Sequence, residues 1–423
     1  MSGLGKVLGA AAGVTGAVGA LTLGGWTAQR RVVRRYRAHA VGGTADFDSL
    51  SADRSYTVTS ADGLGIYVEE AGPVDAPLTV IFSHGWTLRM GAWHFQRLGL
   101  AGAGFGAGFG AAAATDPAPT DADVADAVTD AVTDAATDAA TDAEAATDAV
   151  ADPVAAPGAV ARLVFYDQRS HGRSGRADPG RSTLDAAAED LQAVIATAAP
   201  HGPVVVVGHS MGGMALMALA AAEPDLVRER LVGFALIDSS AFFLRAKGSR
   251  AGLTGNLPLM RAVTATASRF PRALERGRPL ARDAVWLLTR SYGFADPAVS
   301  VDLVDYLDLM ISAVPVDVIA EFLPAILTLD VRAGFAALHQ LPGQVICGEQ
   351  DRMTPPAQSR ALVDAMPSTE LVLIPHGGHN LMLEQPAAVN DALRGLLTDV
   401  LQRVRAADAA TTATSAARAG GGR

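Results

Sequence analysis

Residues 203–219 read Pro203-Val204-Val205-Val206-Val207-Gly208-His209-Ser210-Met211-Gly212-Gly213-Met214-Ala215-Leu216-Met217-Ala218-Leu219. Four consecutive valines predict a strand buried on both faces. The alanine-, leucine- and methionine-rich run after Gly213 predicts a helix. Between them lies G-x-S-x-G, a turn sharp enough to hold its serine in strained backbone geometry with the hydroxyl presented at the end of a sheet. Glycines flank the serine because side chains at 208 and 212 would collide with the neighbouring strand and helix. The plainer reading is a glycine-rich turn with an incidental serine, and residues far downstream decide between the two.

A serine hydroxyl is a poor nucleophile until a base takes its proton and a third group orients that base. Two later stretches offer both, in the order serine, acid, histidine. Gln344-Val-Ile-Cys347-Gly348-Glu349-Gln350-Asp351 reads as a buried strand ending in an acidic turn, and Glu370-Leu-Val-Leu-Ile-Pro375 leads to His376-Gly-Gly-His379-Asn380. Asp351 would accept from one imidazole nitrogen of His379, leaving the other to face Ser210. The alternative acid is Asp238, at the end of the apolar run from Leu231, and the alternative base is His376. Asp351 is preferred for its strand-to-turn context, although it also suits a plain turn ahead of Thr354-Pro355-Pro356. His379 is preferred for its Gly-Gly-His setting. The interval from Ser210 to Asp351 is 141 residues and that from Asp351 to His379 is 28, so the first must contain an insertion.

Charge developing on a carbonyl oxygen needs two backbone N–H donors. Met211, after the serine, supplies one. The other is expected from Ser83-His84-Gly85-Trp86-Thr87, the loop after the strand Leu78–Phe82, with Trp86 as donor. His84 is read as a loop hydrogen-bonding residue, and the Trp86 ring as either core or a substrate-facing wall.

Assembled, these residues resemble the α/β-hydrolase superfamily, most closely its serine esterases, lipases and non-haem perhydrolases. Phe165-Tyr166-Asp167-Gln168-Arg169-Ser170-His171-Gly172-Arg173-Ser174 adds a turn similar to the family's D-x-R-G-x-G-x-S, with Ser170 where a glycine is usual, so that its backbone is open to change. Asp167, Arg169 and His171 are read as structural. The resemblance implies a mostly parallel eight-stranded sheet flanked by helices, with a helical cap over the serine. It also implies acyl transfer by Ser210, His379 and Asp351 without metal or organic cofactor. The expected substrate is a small-molecule ester, apolar or lipid-like in its acyl part. A perhydrolase or carbon–carbon bond hydrolase would use the same residues, and a catalytically silent binding protein of this fold would be expected to have lost one of them.

Composition narrows the alternatives. The chain has 423 residues, 49% of them hydrophobic, and a formal net charge of −10. Eleven acids and no Lys or Arg fall between Ala101 and Pro157, so the remainder of the chain carries +1 and shows no nucleic-acid footprint. The single Cys347 precludes an internal disulfide, and the nine histidines lack metal-ligand spacing.

Along the chain, Val7–Trp26 is uncharged and just long enough to cross a bilayer, with Arg30, Arg31, Arg34, Arg35 and Arg37 following at once. Charge bias then puts the arginine side and the catalytic body in the cytoplasm, held at the inner membrane face. The same Gly/Ala-rich residues would also serve as a helix packed on the body or a loose tail. Residues 1–45 form this unit; 46–100 and 159–240 are the first part of the core; 336–405 are the second. Residues 101–158, built on a T-D-A-x repeat, lack large apolar groups and are expected to be disordered. They join a helix to the fourth strand, on the edge away from the serine, and are expected to be dispensable for chemistry. Residues 241–335 break the strand–helix alternation and are the cap, with Phe242, Phe243, Phe270, Trp286, Tyr292 and Tyr306. A helix from Pro386 to Arg405 closes the domain and 406–423 are expected as a flexible tail.

Overall fold

The computed structural model describes residues 30–34, 36, 47, 50–100, 161–242 and 269–420. The expectations for Val7–Trp26 and for the acidic insert lie outside these residues.

Eight strands form one sheet: β1 Arg54–Thr59, β2 Gly65–Ala71, β3 Leu78–Ser83, β4 Ala161–Tyr166, β5 Val204–His209, β6 Leu231–Ile237, β7 Gly343–Gly348 and β8 Thr369–Ile374. Their order is β1-β2-β4-β3-β5-β6-β7-β8. The β1–β2 and β2–β4 pairs are antiparallel, and every other pair is parallel. The valine run of β5 is buried throughout because both sheet faces are covered. Val204 and Val206 belong to one apolar cluster with helices α2 (Leu184–Ala198) and α3 (Met211–Ala222). Val205 and Val207 belong to the opposite cluster with α1 (His94–Leu100) and α12 (from Pro386). The two-residue strand period thus divides one sequence between two cores.

Local chemistry starts and stops these helices. Thr183 caps α2, its hydroxyl accepting from Ala186 N–H at 3.2 Å, with Asp185 in the first turn. A 3₁₀ turn, Met90–Trp93, leads into α1. The C-terminus corrects an expectation: α12 does not end at Arg405 but continues to Gly420. Residues 406–419 are rich in alanine and contain neither glycine nor proline, so nothing in them stops a helix.

Helix α4 (Pro224–Arg230) leads into β6. Between β6 and β7 the described chain is helical: α5 Pro271–Gly277, α6 Arg282–Gly293, α7 Val301–Ala313, α8 Val316–Leu327 and the short α9 Phe335–Leu338. This cap inserts after the C-terminal end of β6, on the sheet edge that carries Ser210. Helix α10 (Pro356–Ala365) and the short α11 (Leu381–Glu384) complete the list. No helix among the described residues is long and apolar enough to cross a membrane.

Candidate active site

Ser210 sits between β5 and α3 with φ 48° and ψ −115°, a conformation costly for any residue but glycine. Its neighbours explain how it is held. A Cβ at Gly208 would lie 2.5 Å from Gly213 N, and one at Gly212 would lie 2.1 Å from the Ser83 carbonyl oxygen of β3. The Ser210 amide donates to Ile237 O at 2.9 Å, and the Ser239 hydroxyl donates to Ser210 O at 2.8 Å. The turn is clamped between β3 and β6, the strands on either side of β5.

His379 and Asp351 meet it in line. His379 Nε2 is 3.1 Å from Ser210 Oγ, and His379 Nδ1 is 2.9 Å from Asp351 Oδ2. All three residues are buried. Asp351 follows β7 and folds back on its own turn: its Oδ1 accepts from Met353 N–H at 2.7 Å and Thr354 N–H at 3.0 Å, and its Oδ2 from the Thr354 hydroxyl at 2.6 Å. Burial would push this carboxyl up, but the facing imidazole and the Thr354 donors outweigh it and hold Asp351 below the ordinary carboxylate value. The turn role and the histidine-orienting geometry are therefore the same set of contacts.

The alternatives fall elsewhere. His376 is exposed, with φ 56°, and its Nδ1 lies 3.3 Å from Gln350 Nε2. Asp238 ends β6, fully buried; its Oδ1 accepts from Gly348 N–H at 2.9 Å and its Oδ2 has no hydrogen-bond partner among the described residues. Burial, reinforced by the charge of Asp351, raises the Asp238 carboxyl well above the ordinary value. Cys347 is buried nearby and its thiol is pushed up by burial and by Asp238.

The loop after β3 is held by histidines that sequence reading assigned to structure. His84 Nδ1–H donates to Gly85 O at 2.8 Å while Nε2 accepts from Gln168 N–H at 2.9 Å. His171 Nδ1–H donates to Arg169 O at 2.9 Å while Nε2 accepts from Thr87 N–H at 3.1 Å. Burial lowers both, to about 3 and about 4, so both tautomers are fixed in neutral rings. Asp167 adds Met90 N–H and Arg173 N–H, each at 2.7 Å. Arg169 forms a buried bidentate pair with Asp190, both contacts 2.7 Å. Ser170 adopts φ 64°, so the turn keeps the backbone that a glycine there would have taken. This lattice fixes the loop that carries Trp86. The Trp86 and Met211 amides donate to no group among the described residues, and Trp86 is half-buried against the core.

Two contributors were not legible beforehand. His209 Nε2–H donates to His379 O at 2.8 Å, tying the end of β5 to the histidine loop; burial lowers this ring to about 3, so it too is neutral. Glu384 is the second. Its Oε1 accepts from Ala295 N–H at 2.7 Å and Asp296 N–H at 2.6 Å, and its Oε2 from Gly378 N–H at 2.6 Å. One carboxylate thus joins the loop after cap helix α6 to the residue preceding His379. Asn380 reinforces the seam, its N–H and its side-chain amide both donating to Gly293 O.

Comparison with known proteins agrees with this architecture. The sequence model of the alpha/beta hydrolase family matches residues 146–392. A protein of Variovorax paradoxus (strain S110) named "Putative carbamate hydrolase RutD" is 29% identical over 242 residues, which is 56% of this chain and 82% of that protein. Its namesake from Pseudomonas syringae pv. syringae is 24% identical over 237 residues, covering 56% and 83%. Among solved structures, a thermophilic esterase from Thermogutta terrifontis superposes with a TM-score of 0.55 at 21% identity, over 82% of this chain and 99% of that one. A bromoperoxidase from Bacillus anthracis gives 0.56 at 17% identity, over 82% and 100%. At these identities the two structures speak for the fold.

Proposed function

This chain belongs to the alpha/beta hydrolase family, and on that premise we propose that it is a serine hydrolase cleaving a carboxylic ester with an apolar acyl or aromatic part. The observation that carries the reading is the hydrogen-bonded line from Asp351 through His379 to Ser210, with links of 2.9 and 3.1 Å. Ser210 Oγ attacks the carbonyl carbon as His379 Nε2 takes its proton. Asp351 holds the Nδ1–H and stabilises the imidazolium. The carbonyl oxygen, now negative, is held by the Trp86 and Met211 amides, which have no other acceptor among the described residues. Collapse expels the alcohol, which receives the proton from His379. Water then repeats the sequence on the acyl-enzyme.

The name of the RutD proteins favours a second substrate class for the same residues. A carbamate carbonyl is attacked in the same way, and its slower acylation follows from nitrogen donation into the carbonyl. Side-by-side turnover of a p-nitrophenyl ester and a p-nitrophenyl carbamate separates the two.

The test of the common mechanism is covalent labelling by a fluorophosphonate. Wild type and Asp238→Asn are expected to label, Ser210→Ala not at all, and Asp351→Asn far more slowly. Unlabelled, well-folded wild type would refute the serine-hydrolase reading.

A further inference from the structure

We propose that the outer face of the cap is a docking surface for an anionic lipid bilayer. Four large apolar side chains on it stand well out in solvent: Phe270 at 56% exposure, Leu280 at 75%, Leu288 at 51% and, on the neighbouring helix α7, Leu309 at 55%. Leu274 is exposed between them. Single exposed leucines are ordinary; a concentration of them on one helical segment marks an interaction surface. Helix α5 and the 3₁₀ turn Arg278–Ala281 bury none of their residues, so this segment rides on the cap without contributing to its core.

The charges interleaved with these side chains state what the partner must be. Arg269, Arg272, Arg276 and Arg282 are exposed and have no ion-pair partner among the described residues. Arg278, by contrast, is held by Glu275 and by the carbonyls of Ile311 and Val314. Guanidinium groups beside leucine and phenylalanine match the boundary of a membrane, where phosphate oxygens lie directly above acyl chains. Outside residues 101–157 the chain carries only +1, so such a local excess of cations selects negatively charged headgroups.

The path of the chain points to the same face. Arg30 Nε lies 3.5 Å from Asp283 Oδ2 at the start of α6, and the Tyr36 ring lies 5.7 Å from that of Trp286 on the same helix. The first described residues are thus held on α6, the helix that carries Leu288. The proposal stands whether or not the ester reading above is right.

The test uses the full chain in flotation with vesicles of phosphatidylcholine alone and of phosphatidylcholine mixed with phosphatidylglycerol. Wild type is expected to float with the mixed vesicles, less so in high salt, and weakly with the neutral ones. Leu280→Asp with Leu288→Asp, and separately Arg272→Glu with Arg276→Glu, are expected to lower the bound fraction several-fold. All four positions are exposed, and unchanged thermal melting verifies the fold of each variant. Equal flotation of variants and wild type would assign binding to the N-terminal sequence alone and overturn the proposal. Absence of wild-type flotation would overturn it as well. So would light scattering that finds a wild-type dimer and monomeric Leu280→Asp/Leu288→Asp, because a second copy would then cover the face.

Discussion

Asp238 and Asp351 end adjacent parallel strands and bring carboxylate oxygens within 4.8 Å of each other, yet only Asp351 reaches His379. The difference is one of solvation: Asp351 gathers three donors from its own turn besides the imidazole, whereas one oxygen of Asp238 has no partner among the described residues. Two like charges this close in a buried site oppose joint ionisation, which helps raise the Asp238 carboxyl above the ordinary value.

The division of labour predicts unequal mutants. Asp351→Asn should lower kcat by about 10³–10⁴-fold, the cost of a wrongly oriented imidazole. Asp238→Asn should leave kcat close to wild type, because the amide imitates a neutral acid. Steady-state turnover of a p-nitrophenyl ester checks this; the reverse ranking would make Asp238 the working acid.

Asp238 also predicts a pH dependence of stability. Its carboxyl is raised in the folded state, so above the ordinary carboxylate pKa the folded chain binds more protons than the unfolded one. Stability therefore falls as pH rises toward the folded value, by about 1.4 kcal/mol per pH unit. Asp238→Asn removes this cost. The gap in melting temperature between variant and wild type should be small near pH 4 and widen toward pH 8; parallel curves would show that Asp238 ionises freely. Asp351, held low, works in the opposite sense, its contribution being lost as the medium becomes acid.

Glycine substitutions should divide by position. Gly212→Ala places a methyl against the Ser83 carbonyl, and should cost about 3 kcal/mol or more. Gly395, on the exposed side of α12 with nothing within 4 Å of an added Cβ, should accept alanine and gain up to about 1 kcal/mol. Urea titration of both variants measures the difference.

Glu384→Gln keeps the shape of the clamp and halves its acceptors, and should cost about 1–3 kcal/mol. Hydrogen exchange should quicken together at residues 293–296 and 376–380. A global loss of stability without that paired local change would show Glu384 to be ordinary packing.

Removal of residues 101–158, with Leu100 and Ala159 rejoined by a short linker, should leave kcat/KM for the ester unchanged. Ala161 pairs with Leu78, at the start of β3, while Ser210 lies beyond the far ends of the strands. A folded deletion protein without turnover would show that the segment takes part in chemistry.

Sequence reading placed the strands and the serine turn because each is written locally. Val204–Val207 can only be a strand buried on two sides, and glycines at 208 and 212 leave one geometry for Ser210. The preference for Asp351 over Asp238 came from turn context, and what sets the two carboxyls apart in the fold was not in it. It depends on Thr354 and on the proximity of a second carboxyl, distances that no spacing encodes. His209 and Glu384 escaped for the same reason, since each acts on backbone brought near by folding. The residue Glu384 carried a faint signal, an acid five positions after His379, but its partners at 295 and 296 lie some ninety residues earlier. The length of α12 was missed because an alanine-rich end was read as a tail, when alanine itself sustains a helix.

The clamp at Glu384 also fixes where this molecule can be recombined. A chimera that imports another cap by cutting only at the ends of β6 and β7 would set Glu384 against foreign backbone. The exchangeable unit is discontinuous: the donor's segment equivalent to 293–296 must travel with its own counterpart of 378–384. In breeding libraries, crossovers that separate those two segments should be the ones missing among the survivors.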